Sequence, residues 1–290
     1  MSRLTPQTQG ILLIICTMAC FSAMDVAVKF LAQRVDIFQA VWARYAGQAL
    51  VVILILSPRL KTVAKTERLG LQLARSACLL CATSFFFTAL SLMPIADATA
   101  IMLLNPVLIT LGAALFLGEG IGARRLAGVV VAFLGALLII RPGSSTFSVV
   151  SFIPLCGALF YAGYALFTRH LGQRETVWTS LFYSALLGAI VLSIVVPFRW
   201  QPADQTALLL MAFIGVCGTL GQLAVIRAFM LAEASTLAPF TYAGILFAVV
   251  SGIIFFGEFP TILTYIGALV IVLAGLYVWH RETRRGHAKA

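Results

Sequence analysis

Residues 98–118 read ATAIMLLNPVLITLGAALFLG, 21 positions without a charged side chain, and the next residue is Glu119. A transmembrane helix needs roughly 20 mainly apolar residues to cross a hydrocarbon core of about 30 Å, and this stretch meets that length. Similar uncharged runs tile the chain: Leu4 to Met24, Ser76 to Ala96, Pro142 to Thr168, Thr176 to Phe198, Gln205 to Ile226, Ala234 to Gly257 and Phe259 to His280. Ile37 to Pro58 is apolar apart from Arg44, and Leu126 to Ile140 is uncharged but short. The expectation is an all-α membrane protein with ten transmembrane helices. A β-barrel is disfavoured because its strands are about ten residues long and alternate in polarity, whereas these runs are continuously apolar.

Composition points the same way. Of 290 residues, 61% are hydrophobic and 10% charged, against about 25% charged in a typical soluble domain. The first run follows Arg3 and ends in small residues, as a cleaved signal peptide does. Its apolar length exceeds the roughly 7 to 15 residues of a signal-peptide core, so it reads as helix 1. The six cysteines, Cys16, Cys20, Cys78, Cys81, Cys156 and Cys217, all fall inside expected helices and read as packing residues. Cys78 and Cys81 have redox-pair spacing but lack the βαβ surroundings of such a motif.

The net charge of +10 raises nucleic-acid binding, which the placement of the charges answers. With the N-terminus in the cytoplasm, thirteen of the 20 Lys and Arg residues fall on the cytoplasmic side, and only Arg34, Arg141 and Arg199 fall outside. The positive-inside rule therefore expects both termini in the cytoplasm, with the chain in a cell (inner) membrane and no nucleic-acid partner. The basic tail 281–290 serves as a topogenic signal or meets anionic lipid headgroups.

Shifting the chain against itself by 139 residues brings Phe116, Gly118 and Glu119 onto Phe255, Gly257 and Glu258. Without a gap, Ala89 and Leu92 then meet Ala228 and Leu231, while Gly128, Val131, Leu134 and Leu137 meet Gly267, Val270, Leu273 and Leu276. Residues 1–141 and 142–280 thus read as two repeats of five helices each. Five is odd, so the second repeat enters the membrane in the opposite orientation. In many secondary transporters such inverted repeats place the substrate near the midplane, where the halves meet.

This arrangement resembles the EamA-type members of the drug/metabolite transporter superfamily over nearly the whole chain. The resemblance is carried by Met24-Asp25-Val26-Ala27-Val28-Lys29-Phe30, Trp42-Ala43-Arg44-Tyr45, Pro94-Ile95-Ala96-Asp97-Ala98-Thr99-Ala100 with Asn105-Pro106, and the helix-end pairs Gly118-Glu119 and Gly257-Glu258. It implies a central cavity lined by helices 1 to 4 and 6 to 9, with helices 5 and 10 at the periphery. The repeats differ where Phe182-Tyr183-Ser184 replaces Ala43-Arg44-Tyr45, so the half-sites are not chemically equivalent.

Ionisable residues inside a membrane are costly and face a partner or a water-filled cavity. Asp25 and Lys29 are four apart on helix 1 and share a face. Arg44 lies on helix 2, almost as far from the connecting turn as Asp25. The three residues either form an ion pair that docks the two helices or line a cavity. In the second case Arg44 or Lys29 attracts an anionic group, for which a forked guanidinium suits carboxylate or phosphate, while Asp25 exchanges protons or pairs an amine. Tyr45, Phe86, Asn105, Tyr161, Tyr164, Tyr183, Gln222 and Tyr242 are further candidate contacts, each with packing as the alternative. Trp42 fits an interfacial belt. Asn105-Pro106 kinks its helix for packing or breaks it as a hinge, and Glu119 and Glu258 read as structural or gating groups.

Other functions lack their residues. None of the four lysines follows a glycine, which excludes a Walker A loop, and neither a His-Glu-x-x-His nor a Gly-x-Ser-x-Gly motif occurs. No catalytic residue, metal site or cofactor is expected. The expectation is a gradient- or exchange-driven transporter of a small polar metabolite, an amino-acid-derived or organic-acid solute, working by alternating access. The alternative substrate is S-adenosylmethionine-like or riboflavin-like. The expected partners are the solute, the lipid bilayer and a coupling proton or counter-substrate. A channel or receptor is the remaining class, and it does not account for the duplicated halves and the intramembrane charges together.

Overall fold

The computed structural model describes residues 5–117, 123–140, 149–171, 175–231, 237 and 240–287, and among these every regular element is a helix. The principal helices are α1 (Pro6–Leu31), α2 (Ile37–Leu56), the short α3 (Leu60–Val63), α4 (Leu69–Leu92), α5 (Ile95–Met102), α6 (Asn105–Leu117), α7 (Ala123–Ile140), α8 (Phe152–Leu171), α9 (Val177–Val195), α10 (Gln205–Leu231), α11 (Ala243–Phe256) and α12 (Ile262–His287). Among the described residues six helical stretches have the length and apolar content to cross a membrane, and several shorter ones accompany them, including Ala127–Ile140, Ala243–Phe256 and Ile262–Tyr277. The chain is a multi-pass membrane protein.

Small polar residues start these helices by satisfying their free N–H groups. Thr5 accepts from the Thr8 N–H at 3.3 Å, Asp36 from Phe38 at 2.9 Å, Thr176 from Thr179 at 3.1 Å and Asp204 from Ala207 at 2.8 Å. Gly257 ends α11 in the left-handed region at φ 64°, where glycine avoids the Cβ clash. Its N–H bonds Ile253 O at 3.1 Å and the Glu258 N–H bonds Gly252 O at 3.0 Å, turning Glu258 back towards the bundle.

The run that opened the sequence reading is not one helix. α5 stops at Met102, a turn at Leu103 and Leu104 follows, and α6 begins at Asn105. Pro106 is thereby the second residue of α6, where a helix has no use for the missing N–H. Of the two alternatives at Asn105-Pro106, a kink or a break, the helix has a break just before Asn105. Glu119 lies outside the described residues, as does Pro239, the proline expected to interrupt the corresponding helix of the second repeat.

The helices of the two halves interleave. α1 packs on α10 and α11, α2 on α9 and α10, α4 on α8 and α9, and α7 on α12. One apolar core draws Val28, Tyr45 and Phe87 together with Leu192, Ile214 and Ala248, so neither half buries it alone. Glycines set the closest approaches: a Cβ on Gly47 would lie 2.8 Å from Gly215 Cα, and one on Gly267 would lie 2.6 Å from Gly135 O. Small residues at such crossings let backbones pack where lipid supplies no hydrophobic drive between helices.

Polar contacts mark the two ends of the bundle. At the end carrying the α1–α2 turn, Arg34 meets Asp204 at 2.7 Å and Gln39 donates to Gln201 O at 3.1 Å. Trp42 donates to Ser193 Oγ at 2.9 Å and packs edge-on against Trp200. At the other end Tyr183 donates to Ala64 O at 2.7 Å, Thr66 bonds Glu175, and Gln72 donates to Ser180 Oγ at 3.4 Å.

Candidate functional site

Between these ends α1, α2, α4 and α8 bring polar side chains together inside the bundle. Arg44 donates through one terminal nitrogen to Thr83 Oγ1 at 3.1 Å, and the Tyr45 hydroxyl shares that same oxygen at 3.0 Å. The guanidinium carbon lies 5.7 Å from the ring centres of both Tyr45 and Phe87. Gly218 of α10 makes room for it: a Cβ there would stand 3.4 Å from Arg44 Cγ and from Met24 Sδ. The Arg44 Nε is buried without a partner.

Asp25 is 8% exposed and its Oδ1 also has no partner. Among the described residues it forms no ion pair, so of the two alternatives the helix-docking Asp25–Arg44 pair is not made. Buried polar atoms in proteins are nearly always bonded, and exceptions mark water, ions, ligands or strain. Arg44 Nε and Asp25 Oδ1 are thus an open donor and an open acceptor on two helices of the first half.

The rings of Tyr161 and Tyr164 on α8 lie 5.5 Å apart, tilted 48° to each other. Phe85 of α4 stacks on Phe160 of α8 at 5.6 Å, with the rings 12° from parallel. Near the α5–α6 break, Thr99 Oγ1 and Asn105 Oδ1 are buried and unbonded. Helix α8 carries Gly157 beside Met102 of that break, which ties the break to the helix bearing the tyrosines.

The other expected contacts take up different positions. Lys29 ion-pairs with Glu258 and donates to Met93 O at 2.9 Å, at the end of the bundle and apart from the Asp25–Arg44 pairing once expected of it. Glu258 also accepts from the Ile95 N–H at 3.1 Å. Phe86 packs against the main core, and Gln222 is half-buried on α10. Tyr183 bonds the Ala64 carbonyl. The Tyr242 hydroxyl lies against α12, where a Cβ on Gly275 would fall 1.7 Å from its oxygen.

Sequence reading passed over two residues. Thr83 joins Arg44 to Tyr45, and its signal was its place on α4 at the depth of Arg44. Arg75, 5% exposed, bonds four groups of α8 and α9. The uncharged run was counted from Ser76, so Arg75 was treated as a boundary residue, although α4 begins at Leu69.

The sequence model of the EamA-like transporter family matches residues 8–141 and again residues 148–279. The chain is 31% identical over 271 residues to a pseudopaline exporter, CntI, of Pseudomonas aeruginosa, covering 91% of this chain and 94% of that one. It is 29% identical to a riboflavin transporter of Vibrio cholerae over 82% of each chain. It is 26% identical to an S-adenosylmethionine uptake transporter of Rickettsia bellii, over 91% of this chain and 90% of the relative. One crystal structure superposes with a TM-score of 0.65 over 93% of this chain and 96% of the other at 17% identity, a likeness of fold.

Proposed function

Because this chain belongs to the EamA-like transporter family, and is a small-molecule transporter of the drug/metabolite type rather than an enzyme, we propose that it is a secondary transporter of an amino-acid-derived or organic-acid solute. The solute binds between the halves, with its acidic group on Arg44. The observation that carries this is the Arg44 Nε of α2, buried and without a partner among the described residues, together with the buried and equally unbonded Asp25 Oδ1 of α1. An arginine held at one terminal nitrogen and open at Nε presents a carboxylate with a charge-assisted bond, about twice as strong as a neutral one. Asp25 receives an amine of the same solute or a coupling proton, and Thr99, Asn105, Tyr161 and Tyr164 supply neutral contacts.

Ten spans as two inverted repeats, 1–141 and 142–280, give this site its place. The reading is supported by the family model fitting the chain twice and by α1 and α2 of the first half packing on α10, α11 and α9 of the second. Rocking of one half against the other then exposes the site to each side in turn. The charge distribution supports a cell (inner) membrane location with both termini cytoplasmic. A proton or a counter-solute drives the cycle.

The flat stack of Phe85 on Phe160 beside the tyrosine pair favours a second reading. Relatives named for riboflavin and S-adenosylmethionine transport support it. A base or flavin ring would lie against the aromatics, and Asp25 would meet its cationic or N–H groups.

Thermal-shift screening of the purified protein against organic acids, amino acids, nucleosides, S-adenosylmethionine and riboflavin separates the two. A carboxylate hit that vanishes in Arg44→Ala, with the variant still folded, supports the first reading. A ring-bearing hit that survives Arg44→Ala and vanishes in Tyr161→Ala supports the second.

A further inference from the structure

Arg75 is a buried cation with a purpose the substrate site does not absorb. Its Nε donates to Thr168 Oγ1 at 2.7 Å, one terminal nitrogen to Ser180 O and Ser184 Oγ at 3.0 Å each, and the other to the Tyr164 hydroxyl at 3.0 Å. The guanidinium also lies 4.7 Å from the centre of the Tyr164 ring. Thr168 and Tyr164 belong to α8, and Ser180 and Ser184 to α9. One side chain of α4 thus holds two helices of the other half. No carboxylate among the described residues pairs with it.

Lys29 does the corresponding task at the opposite end. From α1 it holds Glu258, beyond α11, and Met93 O at the α4–α5 corner, while Glu258 grips the Ile95 N–H. In each case a cation of the first half reaches at least one acceptor of the second, Glu258 for Lys29 and four groups of α8 and α9 for Arg75. The chemistry of the two differs. Separating Lys29 from Glu258 parts two charges, whereas Arg75 sits among neutral hydroxyls and a carbonyl that water or a solute carboxylate replaces without loss of charge balance.

We propose that Arg75 is the latch closing the α8–α9 end of the transport path, opposite a Lys29–Glu258 latch at the other end, and that a cycle releases them one at a time. The proposal rests on the transporter reading. Tyr164 couples the latch to the site, because it bonds Arg75 and its ring lies 5.5 Å from that of Tyr161.

A native thiol reports on this end. Cys78 lies three residues beyond Arg75 on α4, and a Cβ on Gly163 of α8 would sit 3.4 Å from its Sγ. Parting of α8 from α4 therefore uncovers Cys78. With Cys16, Cys20, Cys81, Cys156 and Cys217 replaced by serine, the rate of Cys78 alkylation by a water-soluble maleimide is measured in proteoliposomes. Arg75→Gln is expected to raise that rate roughly tenfold, as local opening of a packed seam does, with Arg75→Lys intermediate. Lys29→Met, which releases the opposite end, is expected to leave it unchanged or lower it. If Arg75→Gln does not fold, the acceptor pair Thr168→Val with Ser184→Ala is expected to give the same rise. A flat response to these changes overturns the latch, as does an equal rise from Lys29→Met, which marks general loosening. Solute counterflow in the wild type with a flat Cys78 response overturns the latch alone. The Cys78 response in a protein that moves no solute supports the closure and overturns the transporter reading.

Discussion

Tyr45 of α2 and Gly188 of α9 meet so closely that a Cβ at position 188 would lie 2.4 Å from Tyr45 Cδ1. Tyr45 is 1% exposed, and its hydroxyl shares Thr83 with Arg44. The second half thus sets the position of an arginine in the first through one glycine and one ring. Gly188→Ala is expected to destabilise the protein by about 1–3 kcal/mol, the usual cost of overpacking. It is also expected to weaken solute binding by moving Arg44, which a melting curve with and without ligand reads together.

Thr83→Val keeps the shape of the side chain and removes the oxygen that both Arg44 and Tyr45 use. Interhelical hydrogen bonds in membranes average about 0.6 kcal/mol, so a small loss of stability is expected. A larger loss of affinity for the acidic solute is expected, because Arg44 loses its hydrogen bond to Thr83. Isothermal titration with the hit from the metabolite screen gives the ratio.

Asp25 has a buried oxygen without a bond, an arrangement that costs stability. Asp25→Asn is therefore expected to leave the melting temperature of the ligand-free protein unchanged or higher, while the ligand-induced shift is lost. A fall in the ligand-free melting temperature would show that the carboxylate is part of the scaffold.

Lys29 and Glu258 join α1 to the turn beyond α11, with side chains 11% and 21% exposed. Lys29→Glu or Glu258→Lys alone leaves a buried like-charge pair and is expected to cost about 3 kcal/mol, in line with breaking a buried ion pair. The double exchange is expected to recover part of that, since a carboxylate at position 29 cannot donate to Met93 O. Urea or thermal unfolding of the four proteins makes the comparison.

The membrane class and the helical content were readable from the uncharged runs, because the length that crosses a bilayer is a property of sequence alone. The α5–α6 break was only half visible: Asn105-Pro106 marked the place, but a proline inside a run does not say whether the helix bends or restarts. Lys29 was placed with Asp25 because four residues on a helix share a face. Its depth decided otherwise, for it lies two residues from the end of α1, level with the turn that carries Glu258. Thr83 and Arg75 were missed because interhelical partners depend on which helices touch. The order of apolar runs does not encode that.

The central claim is that a solute meets Arg44 between the halves. Counterflow of a radiolabelled carboxylate solute, the one that stabilises the purified protein, is measured in proteoliposomes with wild type, Arg44→Ala and Arg44→Lys. The account predicts uptake by wild type, loss of at least about tenfold in Arg44→Ala and partial activity in Arg44→Lys, whose point charge lacks the fork. Undiminished counterflow by folded Arg44→Ala would contradict it and leave Arg44 as a tie between α2 and α4.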